Sequence, residues 1–244
     1  MHLLLLSNST NHGGGYLAHA LEPVLEHLAG RALTFVPYAL ADHDGYTSTV
    51  RRALAPHDIE VIGVHHHADP AAALTGAEAV FVGGGNTFRL LARLQSTGLI
   101  DLLRDRVRSG MPYMGASAGT NIAGRTIRTT NDMPIVQPPS FDALGLVPFQ
   151  INPHYVDADP TSTHNGETRE QRLTEFLEEN DAAVLGLREG TWLRVNDDEA
   201  HIGGTAVSPH APGPAILFER GSSPVEVAGD VSGLLSRRPR FDIG

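Results

Sequence analysis

Residues Gly115-Ala116-Ser117-Ala118-Gly119 form a G-x-S-x-G pattern, which has a well-defined chemical use. A serine at a sharp strand-to-helix turn sits in strained backbone geometry, and neighbours with side chains would collide there. The turn pushes the hydroxyl out of the sheet. It also aims the next amide, that of Ala118, at the place where an oxyanion would develop. An apolar stretch over 111–114 precedes the pattern, and residues 118–123 can open a helix, so the local context is the one the motif demands. The expectation is that Ser117 is a catalytic nucleophile.

A serine hydroxyl needs a general base, normally a histidine that a carboxylate orients. Thirteen histidines compete. His154, in Gln150-Ile151-Asn152-Pro153-His154-Tyr155, lies just past an apolar-to-polar strand end, where the mouth of a sheet is expected. His65-His66-His67 follow another strand, and three consecutive side chains on a strand do not converge on one ion, so a solvated loop is expected there. Two acids could orient the base. Asp132 lies in Arg128-Thr129-Thr130-Asn131-Asp132-Met133-Pro134, and Glu189 follows an apolar run at 183–187. The residues by themselves leave both open. A glycine-rich turn, Gly83-Gly84-Gly85-Asn86-Thr87, could supply a second oxyanion donor or cradle a phosphate, although no P-loop lysine follows it. Gly13-Gly14-Gly15 lacks the full dinucleotide-binding spacing.

The elements that must carry these groups alternate. Leu3–Leu6, Leu33–Val36, Val61–Val64, Ala79–Val82 and Tyr113–Gly115 read as short buried strands. Helices are expected over Tyr16–Leu28, Thr47–Leu54, Thr87–Leu94 and Leu99–Arg108, with Asp69-Pro70 as an N-cap and first helical residue. This alternation predicts an α/β fold with a mostly parallel sheet flanked by helices, and ligands bind such sheets beyond the carboxyl ends of the strands. A strand at Gln150–Asn152 and a helix opened by the capping box Thr168-Arg169-Glu170-Gln171 follow. The β-rich section over 183–228 closes a single domain expected to span 1–230, with 231–244 as a surface tail.

Composition narrows the function classes. There is no Cys, so no disulfide, thiolate metal site or cysteine nucleophile. There is no Lys, which excludes a Schiff base, a Ser–Lys dyad and a Walker lysine. The net charge of −10 makes nucleic acid a poor partner. The short apolar start at 1–7 reads as a strand rather than a signal or membrane segment, and a cytoplasmic location is expected. No H-E-x-x-H pair is present, and no metal or other cofactor is expected.

Several separated blocks together resemble peptidase E, the aspartyl dipeptidase family of serine peptidases. They are 6–10 (LSNST), 82–88 (VGGGNTF), 117–119 (SAG), 126–136 (TIRTTNDMPIV), 150–154 (QINPH) and 166–172 (GETREQR). The resemblance runs from about Leu3 into the 220s. It implies a fold related to class I glutamine amidotransferases and hydrolysis of dipeptides whose first residue is Asp. On its pattern the nucleophile falls on Ser117 and the base on His154, with the third member on Asp132 or Glu189. Asp132 is favoured, because its block matches without a gap. The amides of Gly85 and Ala118 match the oxyanion hole, and Arg169 matches the arginine that binds the substrate's Asp side chain. An arginine in the first turn of a helix opposes the macrodipole, a mild independent hint of use. The chain departs from the pattern at Gly115-Ala116, in a 154–166 segment one residue longer than in enterobacterial members, and beyond Arg220. A homodimer is compatible with the resemblance. The alternatives are a serine hydrolase of β-linked aspartyl peptides and a non-catalytic binding module on the same fold.

Overall fold

The computed structural model describes residues 1–159 and 166–241. The inserted position expected between 154 and 166 falls partly outside the described residues. In the first half the strands are β1 (His2–Leu6), β2 (Leu33–Val36), β3 (Val61–Gly63), β4 (Ala79–Val82) and β5 (Tyr113–Ala116). The helices are α1 (Leu21–Leu28), α2 (His43–Leu54), α3 (Pro70–Thr75), α4 (Thr87–Ser96), α5 (Leu99–Arg108) and the single turn α6 (Ala118–Asn121). There follow β6 (Gln150–Tyr155), α7 (Arg169–Glu179), β7 (Val184–Arg188), β8 (Thr191–Asn196), β9 (Glu199–Gly204), β10 (Ala215–Phe218), β11 (Val225–Val227) and β12 (Gly229–Asp230).

These strands form two sheets. The larger has the order β12-β9-β8-β1-β5-β4-β2-β3, the smaller β11-β10-β7-β6. From β1 to β3 the large sheet is parallel, while β8, β9 and β12 extend it antiparallel. Both faces of the parallel part are covered, which is why its strands are continuously apolar. Leu3 and Leu5 pack with α3, α4 and α5 on one face. Leu4 and Leu6 pack with α1 and α2 on the other. Among the described residues no helix is long and apolar enough to cross a membrane.

Several boundaries differ from the sequence expectation, each for a local reason. The helix expected from Tyr16 begins at Leu21, because Leu17 takes φ 60° and Pro23 fits only a first helical turn. The helix expected from Thr47 begins at His43, capped by the Asp42 side chain accepting from Gly45 N. β3 stops at Gly63 and the chain turns through a 3₁₀ turn, Val64–His66. Thr168 and Gln171 form the reciprocal capping box at the start of α7. The surface tail begins later than 231. Val231 N donates to Ala200 O, Ser232 Oγ accepts from Ala200 N, and Leu234 is buried in the main core.

Candidate active site

β5 ends at the G-x-S-x-G turn, and the turn has no room for a side chain at either of its glycines. An added Cβ on Gly119 would lie 2.0 Å from Val82 O, and one on Gly115 2.6 Å from Gly119 O. Ser117 has φ 52° and ψ −108°, a conformation that a non-glycine residue holds only under constraint. The constraint is visible: Ser117 N donates to Leu6 O at 3.1 Å, Thr120 Oγ1 donates to the same carbonyl at 2.6 Å, and Tyr113 Oη donates to Gly119 O at 2.6 Å.

The Ser117 hydroxyl lies 3.0 Å from His154 Nε2, and His154 Nδ1 lies 2.6 Å from Glu189 Oε1. An ionised carboxylate only accepts, so Nδ1 carries the proton and Nε2 is left to accept from the serine. His154 sits in β6 at φ 53°, where the pairing of β6 with β7 shifts register between Asn152 and Tyr155. Glu189 leaves the end of β7. The parallel pairing of these strands brings base and acid together although 35 residues separate them in sequence.

Asp132 does not make the contact expected of it. Its Oδ2 accepts from Thr87 N at 2.7 Å, Thr87 Oγ1 at 2.6 Å and Thr130 Oγ1 at 3.3 Å. The carboxylate thus sits on the first turn of α4, where unpaired amides and the helix dipole favour an anion. Asn86 Nδ2 donates to Met133 O beside it. The neighbouring Asn131 donates to Pro153 O and accepts from Asn152 Nδ2, tying this segment to β6. The block around Asp132 therefore docks the glycine-rich turn and the histidine strand against each other.

Gly84 packs against the elbow: a Cβ there would lie 3.0 Å from that of Ser117. Gly85 takes φ 132° with the Ala39 carbonyl 2.7 Å from where a Cβ would stand, so only glycine fits. Gly84 N is already used, donating to Tyr46 Oη at 2.8 Å. Burial and the hydrogen-bonded neighbour Tyr16 surround that phenol. Burial raises the pKa of Tyr46, so it stays protonated. A cleft of about 680 Å³ opens here, lined among others by Ser117, His154, Gly84, Gly85, Tyr46 and Tyr16. Arg169, the first residue of α7, lines another cleft with Asp157 and Arg172. Its pKa is lowered, first by burial and then by Arg172, against an opposing pull from Asp132.

Sequence reasoning missed the residues that hold the parts together. Ser7 and Asn8, at the end of β1, are buried. Ser7 Oγ accepts from His154 N and donates to Leu187 O, both at 2.9 Å. Asn8 Oδ1 accepts from Gly190 N at 2.8 Å. The two side chains thus grip the backbone on both sides of Glu189 and at His154 itself. The block 6–10 marked these positions, but nothing in it said what they touch. Arg188, buried beside Glu189, forms hydrogen-bonded ion pairs with Asp157 and Glu226.

The sequence model of peptidase family S51 matches residues 3–203. The chain belongs to peptidase family S51. It is 63% identical to "Peptidase E" of Streptomyces coelicolor over all of this chain and 99% of that one. It is 54% identical to a Drosophila melanogaster protein described as "Probable alpha-aspartyl dipeptidase", over 81% of this chain and 84% of that one. The crystal structure of a peptidase from an acI-B1 actinobacterium superposes with a TM-score of 0.63 at 15% identity, over 93% of this chain and 96% of that one. A Listeria monocytogenes structure superposes with a TM-score of 0.65 at 24% identity, over 84% and 98%. These two share the fold.

Three predictions come from this geometry. Glu189→Gln keeps the shape but removes the anion facing Nδ1, and kcat should fall by about two orders of magnitude or more. Asp132→Asn should change kcat by less than about tenfold while lowering stability by about 0.5–2 kcal/mol, as loss of a helix cap does. Steady-state kinetics with urea titrations check both, and the opposite pattern would restore Asp132 as the acid. Ser7→Ala strips His154 N of its acceptor, so kcat should drop about tenfold or more with KM little changed. Equal losses in kcat and stability with a risen KM would mean that Ser7 only supports the fold.

Proposed function

We propose that this S51 peptidase is a serine dipeptidase acting on dipeptides with an N-terminal Asp. The relay Ser117 Oγ–His154 Nε2, 3.0 Å, and His154 Nδ1–Glu189 Oε1, 2.6 Å, carries the reading. In the first step Ser117 Oγ attacks the scissile carbonyl carbon while His154 Nε2 takes the hydroxyl proton. Glu189 stabilises the imidazolium that forms. The carbonyl oxygen becomes an oxyanion facing the amides of Gly85 and Ala118. The Ala118 amide opens α6, where a helix leaves its first N–H groups without intrahelical partners. His154 then gives its proton to the leaving amine, and the acyl group stays on Ser117. Water then gives a proton to the same imidazole as its oxygen attacks the acyl carbon; the bond to Ser117 Oγ breaks, His154 returns the proton to Oγ, and the Asp leaves. None of these steps calls on a metal ion.

Specificity is assigned to Arg169. A dipeptide offers little surface, so its charged groups must supply the binding energy. A guanidinium can hold a β-carboxylate through two parallel hydrogen bonds. Arg169 is partly desolvated, and among the described residues no hydrogen bond or ion pair occupies its fork. The nearby Asp132 is already engaged with Thr87.

Ser117→Ala should lose about three orders of magnitude or more in turnover while remaining folded, and near-normal turnover by a verified variant would end the serine mechanism. Arg169→Met should lower kcat/KM for Asp-first dipeptides by about tenfold to a hundredfold and shrink the preference over Asn-first dipeptides. An unchanged Asp-over-Asn ratio in a dipeptide library would assign the side-chain reading to another residue. Faster cleavage of β-linked than of α-linked aspartyl substrates would replace the dipeptidase reading by that of a β-aspartyl hydrolase.

A further inference from the structure

Away from the serine, the histidine run that the function leaves unused has a definite geometry. The chain leaves β3 at Gly63 and passes through the 3₁₀ turn Val64–His66. On a strand, neighbouring side chains point to opposite faces. A 3₁₀ turn has three residues per turn, so neighbours are separated by only about 120°. His65 and His66 accordingly lie against each other, with ring centroids 4.1 Å apart. Their Nε2 atoms point at the same oxygen, Asp44 Oδ1, at 3.1 Å and 2.7 Å. The three ligand atoms lie within 4.8 Å of one another.

The site is pre-formed on one side and adjustable on the other. A Cβ on Gly63 would come 2.4 Å from His65 Cε1, so that glycine makes room for the ring. His65 Nδ1 is buried, which leaves Nε2 facing out toward Asp44. Asp44 stands in the first turn of α2 with its side chain 83% exposed, free to rotate. In water, an ion pair with so exposed a carboxylate gains little, so salt bridging gives a weak account of why two imidazoles are aimed at one oxygen.

We infer that Asp44 Oδ1, His65 Nε2 and His66 Nε2 bind a divalent late first-row transition ion, for which zinc is the fitting probe. Two imidazoles and one carboxylate are a donor set that suits zinc, and water completes the tetrahedron. Metal–ligand bonds of about 2.0–2.2 Å place neighbouring donors about 3.3 Å apart. The present spacings need to open by a few tenths of an ångström, which rotation of the exposed Asp44 supplies. The ion stands apart from Ser117 and takes no part in hydrolysis. It would tie the first turn of α2 to the turn after β3. α2 also carries Tyr46, whose hydroxyl accepts from Gly84 N in the wall of the cleft. Metal loading would therefore stiffen one side of the substrate cleft from outside.

The test uses the full chain without an affinity tag, stripped of metal by chelation and dialysed. Zinc binding is followed by calorimetry, and cobalt(II) binding by visible absorption, for the wild type, Asp44→Asn, His66→Gln and the double variant. The wild type should take up one more equivalent than the double variant, show the visible bands of tetrahedral cobalt, and melt at a higher temperature with zinc present. Each single variant should bind at that site about tenfold more weakly or worse. Chelation should leave the hydrolytic rate of the wild type in place. Equal stoichiometry and affinity in all four proteins would overturn the proposal, as would binding confined to millimolar zinc. So would a wild-type equivalent that abolishes hydrolysis on binding, since that ion would sit on His154 and Glu189.

Discussion

The buried hydroxyl of Ser7 joins the two halves of the site. The nucleophile rides on β5 in the large sheet, while the base and its acid ride on β6 and β7 in the small one. Two sheets that share no ladder could slide by an ångström, and that is enough to break a 3.0 Å hydrogen bond. Ser7 extends the strand β1, which pairs directly with β5, and its oxygen bonds the backbone of both β6 and β7. Asn8 repeats the device at Gly190. Both side chains are buried, so leaving any of these groups unpaired would cost the full desolvation of a polar group. The seam is held by that penalty as much as by the bonds themselves.

Three strained backbones surround the reacting hydroxyl. Ser117 and His154 hold positive φ without being glycine, and Gly85 holds φ 132°. Such conformations persist only where surrounding structure over-determines them. Here the over-determination is specific: the Leu6 carbonyl fixes the elbow, Ser7 fixes the histidine, and Tyr46 fixes the turn at Gly84. The groups that the mechanism would move are side-chain protons. The backbone around them is already in place, which is the condition for stabilising charge without reorganisation.

The large sheet was legible because its strands are buried on both faces. Runs such as Leu3–Leu6 and Ala79–Val82 can be little else at that length, and the polar turn after the first and the glycines after the second mark the strand ends. The elbow was legible for a steric reason: at 2.0 Å from Val82 O, position 119 admits no side chain. The small sheet was not legible. Residues 183–228 show short apolar runs, yet nothing in their pattern says that β8 and β9 extend the first sheet while β7, β10 and β11 build a second. Partner choice among short strands depends on long-range pairing, which leaves no local trace.

The sequence by itself determined that Ser117 and the Ala118 amide stand at a strand-to-helix turn, and that a strand opens at Gln150 ahead of His154, although in the structure that strand runs past the expected end at Asn152 to Tyr155. Each follows from excluded volume or from a hydrophobic period, both of which act over a few residues. Only the tertiary structure decided which carboxylate faces the imidazole. An unbroken motif favoured Asp132, which lies nearer to His154 in sequence, but a carboxylate goes to the best donors within reach. For Asp132 those are the amide and hydroxyl of Thr87 at the start of α4. Glu189 reaches His154 because β7 lies parallel to β6, a pairing made across 35 residues that no local rule encodes. The histidine run makes the same point in reverse. The run was expected to lie in a solvated loop without convergence on one ion, and a 3₁₀ turn of three residues brings two of its side chains together.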